Sequence, residues 1–330
     1  MNLGYDKALY LLPFDHRKSY VNDMFDFKLP LSAQQHDQVS ASKQLIYEGF
    51  RQALAEGVPS ELAGILVDEE FGRDILRDAQ QRGFVTALSV EQSGSDEFDF
   101  EYGADFARHI DAFDPTFAKA LVRYNPAGDP LLNRRQVDRL KQLADHCRTS
   151  QRRFMFELLV PATDEQLALA GGDKAAYDLR TRPSLMDQAI RQLQHAGVEP
   201  DVWKIEGLER RDDCERIVAS ARRDGRSGVG CIVLGRGADQ AKVSSWLTSA
   251  GSVDGFIGFA VGRTTFWDAV ARYRAMTLTR AEAVAQIARR LRAWVDIFER
   301  ESLSRSTSVD ATAGVKAMGA KHAPREQTAS

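Results

Sequence analysis

The sequence predicts a closed (β/α)8 barrel, the TIM-barrel architecture, with an additional C-terminal helix and a disordered tail, and three observations carry that prediction. Short apolar runs recur along the chain, each followed by a segment of helical period. Eight such units follow one another, as a closed parallel sheet wrapped in helices requires. The length of 330 residues suits one such domain, because barrels of this kind run to about 250 residues before additions. The barrel is assigned to residues 1–300 and the tail to 301–330, where Ser, Thr, Ala and Gly dominate without apolar periodicity.

The first strand candidate is Ala8 to Phe14, closing on Asp15-His16-Arg17. A polar excursion from Lys18 to about Ser40 is too long for an ordinary βα loop and reads as an active-site flap. Ala41 to Gly57 then reads as an amphipathic helix stopped by glycine. Ala63 to Val67 is the second strand, ending in Asp68-Glu69-Glu70, with a helix from about Arg73 to Arg82. Phe84 to Val90, closing on Glu91, is the third, with a helix around Ala104 to Ala112. Phe117 to Tyr124 and the helix Asn133 to Arg148 form the fourth unit. The fifth strand, Arg153 to Val160, has a long connection from Pro161 to about Pro183, room for a small insertion before the helix Leu185 to Ala196. The sixth strand is Val202 to Gly207, with a helix over Asp212 to Arg223. Gly230 to Leu234 with the helix Ala241 to Leu247, and Gly255 to Val261 with the helix Phe266 to Arg274, complete the eight. A final amphipathic helix, Arg280 to Arg300, could cover the barrel's outside or meet a second subunit, which leaves a homo-oligomer open.

Composition narrows the function. With 43% hydrophobic and 28% charged residues and a net charge of −3, the chain has the balance of an ordinary soluble protein and no feature that calls for nucleic acid or an anionic membrane. Cys147, Cys214 and Cys231 are an odd number without CxxC spacing, so neither a disulfide framework nor a zinc site is expected. No basic start precedes a long apolar region, and no window reaches about 18 uninterrupted apolar residues. A cytoplasmic location is the expectation.

In such barrels the active site lies at the C-terminal ends of the strands. Those ends are ionic here: Asp15 and Arg17, Asp68 to Glu70, Glu91, Arg123, Glu157, Lys204 and Glu206, Arg236 and Arg263. In Val202-Trp203-Lys204-Ile205-Glu206, alternation separates Val202, Lys204 and Glu206 from Trp203 and Ile205. An ammonium inside an apolar run is costly to keep charged, so burial favours a nucleophilic amine, the requirement for a Schiff-base lysine; a lysine snorkelling to water is the other reading. In Phe154 to Val160, alternation turns Glu157 into the barrel. There it could act as a carboxyl of raised pKa that shuttles protons, or form a buried ion pair with a barrel lysine. Lys119, Leu121 and Arg123 share an inward face, with Lys119 deep and Arg123 near the rim.

Leu234-Gly235-Arg236-Gly237 and Val261-Gly262-Arg263 place glycines and arginine forks after strands seven and eight, where this fold holds phosphate. Neither belongs to a P-loop or a GxGxxG fingerprint, so nucleotide binding is not expected. Metal chemistry has weak support: only His16 of six histidines closes a strand, though Asp68, Glu69 and Glu91 could hold magnesium. There is no GxSxG elbow.

With these residues placed, the sequence resembles the class I tagatose-1,6-bisphosphate aldolase family over about residues 5 to 300, and within it most closely the aldolase-like domain fused to the 5-dehydro-2-deoxygluconokinase of inositol catabolism. The likeness lies in Phe14-Asp15-His16-Arg17, Val67-Asp68-Glu69-Glu70-Phe71-Gly72, Lys119 to Tyr124, Phe156-Glu157-Leu158, Val202 to Glu206 and Val261-Gly262-Arg263. The resemblance implies Lys204 as the Schiff-base lysine and Glu157 in proton transfer, with Asp15 and Lys119 as further catalytic residues. It implies Gly262 and Arg263, with the Gly235 and Arg236 loop, at the phosphate. His16 stands where the tagatose enzymes usually show glutamine, Gly235 where they show serine, and Arg123 where they show an uncharged residue. An extra inward arginine suits a substrate carboxylate, so Arg17 or Arg123 would hold one.

The expected function is a lyase, a class I aldolase without metal or organic cofactor, acting on a phosphorylated keto-sugar acid such as 2-deoxy-5-keto-gluconate 6-phosphate. Glu157 would also be a candidate base for the substrate hydroxyl. Alternatives are cleavage of tagatose 1,6-bisphosphate or a sulfonated ketose phosphate, or a non-catalytic barrel that binds a sugar phosphate.

Overall fold

The computed structural model describes residues 2–319, and of 306–319 the backbone only. Eight parallel strands, β1 (Leu9–Pro13), β2 (Ala63–Val67), β3 (Val85–Ser89), β4 (Phe117–Arg123), β5 (Arg153–Leu159), β6 (Val202–Glu206), β7 (Gly230–Leu234) and β8 (Phe256–Ala260), close into a barrel in sequence order. The helices are α1 (Lys18–Phe25), α2 (Ala33–Ala55), α3 (Glu69–Gln81), α4 (Phe106–Phe113), α5 (Pro130–Thr149), α6 (Asp164–Leu169), α7 (Lys174–Arg180), α8 (Arg182–His195), α9 (Arg211–Ala221), α10 (Gln240–Gly251), α11 (Arg263–Arg274) and α12 (Arg280–Gly319). This is the predicted (β/α)8 TIM barrel with an added terminal helix.

Strand alternation builds the interior in layers. Leu9, Leu11, Phe117, Met155, Val202 and Ile232 fill the lower barrel, while the alternate residues Phe154, Phe156, Trp203 and Ile205 join the larger core under the helices. Two residues above Phe117, Met155 and Val202 on the same faces come Lys119, Glu157 and Lys204. The ionic residues thus rest on a buried apolar floor. At the base, Asp201 accepts from the Gly4 and Phe154 N–H groups (2.8 Å each) and closes the N-terminal end.

The expected flap is corrected in part. Residues 18–25 form α1, whose Tyr20, Val21, Met24 and Phe25 are buried, a one-sided helical stripe that the surrounding polar residues mask in the sequence. A capping box of Ser32 and Gln35 then starts α2 eight residues earlier than Ala41. The connection after β5 does hold an insertion, α6 and α7.

Helix α12 covers the barrel's own outside, against α2, α10 and α11, with Ile287, Leu291, Trp294 and Phe298 buried. A Cβ on Gly49 would lie 2.5 Å from Ile287 Cγ2, so glycine permits the close approach of α2 and α12. The segment expected as a tail begins inside this helix, and residues 320–330 lie outside the described residues. Among the described residues no helix is long and apolar enough to cross a membrane. The three cysteines are free and buried.

Candidate active site

Register and alternation together create the site. Glu157 on β5 is the register partner of Lys204 on β6 and of Leu121 on β4, so Lys119, Glu157 and Lys204 project into the barrel from three adjacent strands. Glu157 Oε2 lies 2.8 Å from Lys204 Nζ and 2.7 Å from Lys119 Nζ. Lys119 also meets Asp15 Oδ2 at 2.8 Å and Glu91 Oε1 at 2.7 Å. All five side chains are buried at the floor of a cavity of about 610 Å³ that opens at the C-terminal mouth.

Charge states follow from these contacts. Burial works against the charge on Lys119, but Asp15, Glu157 and Glu91 outweigh it and hold the amine well above its ordinary value. Burial likewise opposes the charge on Asp15, yet Lys119, Lys204 and His16 keep its carboxyl well below the carboxylate range. Glu157 is opposite to the raised pKa expected of a buried carboxyl: burial pushes it up, but Lys119 and Lys204 more than offset this and hold it down. Both expected partners are therefore present, and the ion pair decides the sign. Glu91 goes the other way, raised by burial with Asp15 adding to it, while Lys119 and Arg17 offset only part. Burial, with Arg263 and Lys204 adding to it, lowers His16 to about 4 against the opposing effect of Asp15, so the imidazole is neutral near pH 7.

The two glycine loops lie side by side. An added Cβ on Gly237 would sit 3.7 Å from Arg263 Cδ, and one on Gly235 3.1 Å from Val261 Cγ1, so the loops after β7 and β8 form one wall of the cavity. Gly262 precedes α11 without a side-chain cap, and its own Cβ would meet the Pro13 carbonyl oxygen at 2.2 Å. The uncapped N–H groups of α11 and the adjacent Arg263 make a cradle suited to phosphate. Arg263 Nη2 donates to Ser19 Oγ at 2.8 Å, and its guanidinium lies 5.1 Å from the Trp267 ring centroid.

The other arginines divide. Arg17 is buried and committed: Nη1 donates to Glu101 at 2.7 Å and Nη2 to the Glu91 carbonyl at 2.5 Å. Both terminal nitrogens therefore hold the wall together, while Nε is buried with no hydrogen-bond partner among the described residues and the side chain still lines the cavity. Arg236 pairs with Asp178 at 2.7 Å and Glu206 at 3.0 Å, and so braces the β7 loop to α7 and β6. The Arg123 side chain is 40% exposed and, among the described residues, makes a 3.1 Å bond to the Ser95 carbonyl and a 4.0 Å contact with Asp96, so it retains donors at the cavity rim.

The magnesium alternative is corrected too. Asp68 pairs with buried Lys43 and caps α3 at Phe71 N, Glu69 pairs with Arg73 and His109, and Glu91 meets Lys119. Each carboxylate has its own cation, and among the described residues no group of acidic, His or Cys side chains is arranged to hold a metal.

Sequence reading treated Glu91 as a strand end and missed Glu101, Ser19 and the turn at residues 93–95. An isolated bridge between Glu91 and Phe100 folds this loop into a hairpin along the cavity, where Ser93 N donates to Glu101 Oε2 at 2.9 Å. The Ser93-Gly94-Ser95 cluster was the available turn signal; Glu101 carried none.

The family described as "Uncharacterized protein conserved in bacteria (DUF2090)" matches residues 4–302. No curated protein matches the sequence. Among solved structures, fructose-bisphosphate aldolase from Plasmodium falciparum, in complex with TRAP and a small-molecule inhibitor, superposes with a TM-score of 0.61 at 13% identity, over 90% of this chain and 91% of that one. Cgl0159 from Corynebacterium glutamicum gives 0.53 at 18% identity, over 89% and 88%. A Schiff-base-forming fructose-1,6-bisphosphate aldolase gives 0.53 at 11% identity, over 89% and 94%. At such identities the likeness shows a shared fold.

Proposed function

The chain belongs to DUF2090, a family of uncharacterized proteins conserved in bacteria, and we propose that it acts as a class I aldolase on a phosphorylated keto-sugar acid. The substrate that fits best is 2-deoxy-5-keto-gluconate 6-phosphate, cleaved to dihydroxyacetone phosphate and malonate semialdehyde. The observation that carries this reading is the buried amine of Lys204, 2.8 Å from an ionised Glu157, on an apolar floor beneath an open mouth. Aldolases among the structures that share the fold support it.

Glu157 takes a proton from the Lys204 ammonium, and the free amine attacks the substrate ketone. Glu157 returns that proton to the alkoxide formed by the attack, then carries a second proton from the nitrogen to the resulting carbinolamine hydroxyl, which leaves as water and gives an iminium. Breaking the adjoining carbon–carbon bond sends its electron pair into the iminium, forming an enamine on Lys204 and freeing the aldehyde. Protonation and hydrolysis of the enamine release dihydroxyacetone phosphate and restore the amine. Gly262, Arg263 and the Gly235 loop receive the phosphate, and Arg123 the carboxylate. Lys119 and Asp15 keep the row charged and in place. No step uses a metal.

Borohydride reduction in the presence of dihydroxyacetone phosphate, followed by peptide mass spectrometry, tests the reading. A reduced adduct on Lys204 that is absent from Lys204→Ala is the expected result. Binding of the ligand without an adduct would overturn the aldolase assignment in favour of a sugar-phosphate-binding barrel. Comparing turnover of the keto acid with tagatose 1,6-bisphosphate and a sulfonated ketose phosphate then tests the substrate.

A further inference from the structure

The ammonium of Lys119 has three N–H donors, and three carboxylates surround it: Asp15 at 2.8 Å, Glu91 at 2.7 Å and Glu157 at 2.7 Å. Lys119 and Lys204 face these carboxylates from β4 and β6, and Arg17 adds its charge beside Glu91 while its terminal nitrogens donate to Glu101 and to the main-chain oxygen of Glu91.

The three carboxylates differ in what they face. Asp15 and Glu157 both feel Lys119 and Lys204. Glu91 faces Lys119 from β4, Arg17 from the start of α1 and the like charge of Asp15 from β1. Its Oε1 meets Lys119, while its Oε2 is buried with no hydrogen-bond partner among the described residues, although the residue lines the cavity. The backbone is fixed on both sides: Gln92 N donates to Asp99 O at 2.8 Å, Glu101 N donates to Val90 O at 2.9 Å, and Arg17 grips the Glu91 carbonyl.

The geometry points to Glu91 as the catalytic residue that exchanges a proton with the substrate hydroxyl as the carbon–carbon bond breaks, a role that rests on the aldolase reading above. In cleavage, Glu91 Oε2 accepts the hydroxyl proton, the oxygen lone pair forms the aldehyde carbonyl, and the carbon–carbon pair flows into the iminium on Lys204. In condensation, the Glu91 carboxylic acid returns that proton to the new alkoxide. The substrate halves supply every atom and electron. Its raised proton affinity suits this work, because a base is most effective when its pKa approaches the working pH; Asp15 and Glu157 are held lower, and Glu157 is already engaged with both lysines. Glu157, which touches Lys204 directly, serves dehydration instead.

The test separates the two half-reactions. Wild type, Glu91→Gln, Glu91→Asp and Lys204→Ala are compared by borohydride trapping of dihydroxyacetone phosphate and by condensation of that ketone with malonate semialdehyde or glyceraldehyde 3-phosphate. Thermal melts check folding. Glu91→Gln is expected to trap the ketone like wild type yet condense it about 100-fold or more slowly. Glu91→Asp should recover part of the rate with a shifted pH profile. Condensation by Glu91→Gln within a few-fold of wild type would overturn the role while leaving the aldolase reading intact. Trapping and condensation falling together in Glu91→Gln would also overturn it, since Glu91 would then serve only to hold Lys119. A wild type that fails to trap, or that traps but condenses neither aldehyde, overturns both.

Discussion

Glu157 and Lys204, register partners on neighbouring strands, stand 2.8 Å apart with the same carboxylate oxygen also 2.7 Å from Lys119. One oxygen thus serves two ammonium groups, which keeps Glu157 ionised and ready to accept a proton. Glu157→Gln removes that acceptor while keeping the shape. Schiff-base formation is expected to slow by about 10²–10⁴-fold, with the adduct still reaching Lys204 at long times. Rapid-quench borohydride time courses measure this; an unchanged rate would remove Glu157 from the proton path.

Lys119→Met leaves Asp15, Glu91 and Glu157 facing one remaining lysine at the buried floor of the cavity. Breaking a buried ionic cluster by removing one partner costs about 3–5 kcal/mol, so urea unfolding at pH 7 should show a loss of that size. The loss depends on pH. Asp15 and Glu157 have folded pKa values below their unfolded ones, so the stability they add is present above about pH 4 and fades as pH falls through the folded values. The gap between wild type and variant should therefore narrow in acid.

His16 gives a second pH signature of known sign. Its folded value of about 4 lies below the ordinary 6.5, so between these the unfolded chain binds the extra proton and stability rises with pH. Wild type should lose up to about 3 kcal/mol from this group between pH 7 and pH 4, reduced by whatever water reaches the ring. His16→Gln, which cannot titrate, should show a flatter profile over that window.

The two ends of the substrate should answer to different arginines. Arg263→Ala removes a charged hydrogen-bond donor worth about 1.5–3 kcal/mol, and should raise the half-saturating concentration of dihydroxyacetone phosphate in the trapping assay by about 10–100-fold. Arg123→Ala should leave that assay unchanged and raise KM for the keto acid by a similar factor. Equal effects of Arg123→Ala on both would show that it does not read the carboxylate.

Much of this site was legible because β-strand alternation is local. Glu157 and Lys204 sit inside apolar runs, and a period of two decides which way each points without knowledge of any partner. Phe154-Met155-Phe156-Glu157-Leu158 states its own orientation. The stripe of Tyr20, Val21, Met24 and Phe25 was also local, but short and diluted by polar neighbours, so a helix read as a flap.

Distances and charge states were decided elsewhere. The sequence by itself determined an eightfold succession of strand and helix, the inward direction of Lys119 and Glu157, the face that Lys204 shares with Val202 and Glu206, and the glycines after the last two strands. Only the tertiary structure decided that Lys119 gathers carboxylates from β5 and from the loops after β1 and β3, that Arg17 pairs with Glu101, and that Asp68, Glu69 and Glu91 part company. The reason is physical. Alternation is set by the chain's own covalent geometry, whereas proton affinity depends on charges within a few ångströms, and barrel closure brings those together from residues as distant in the chain as His16 and Arg263.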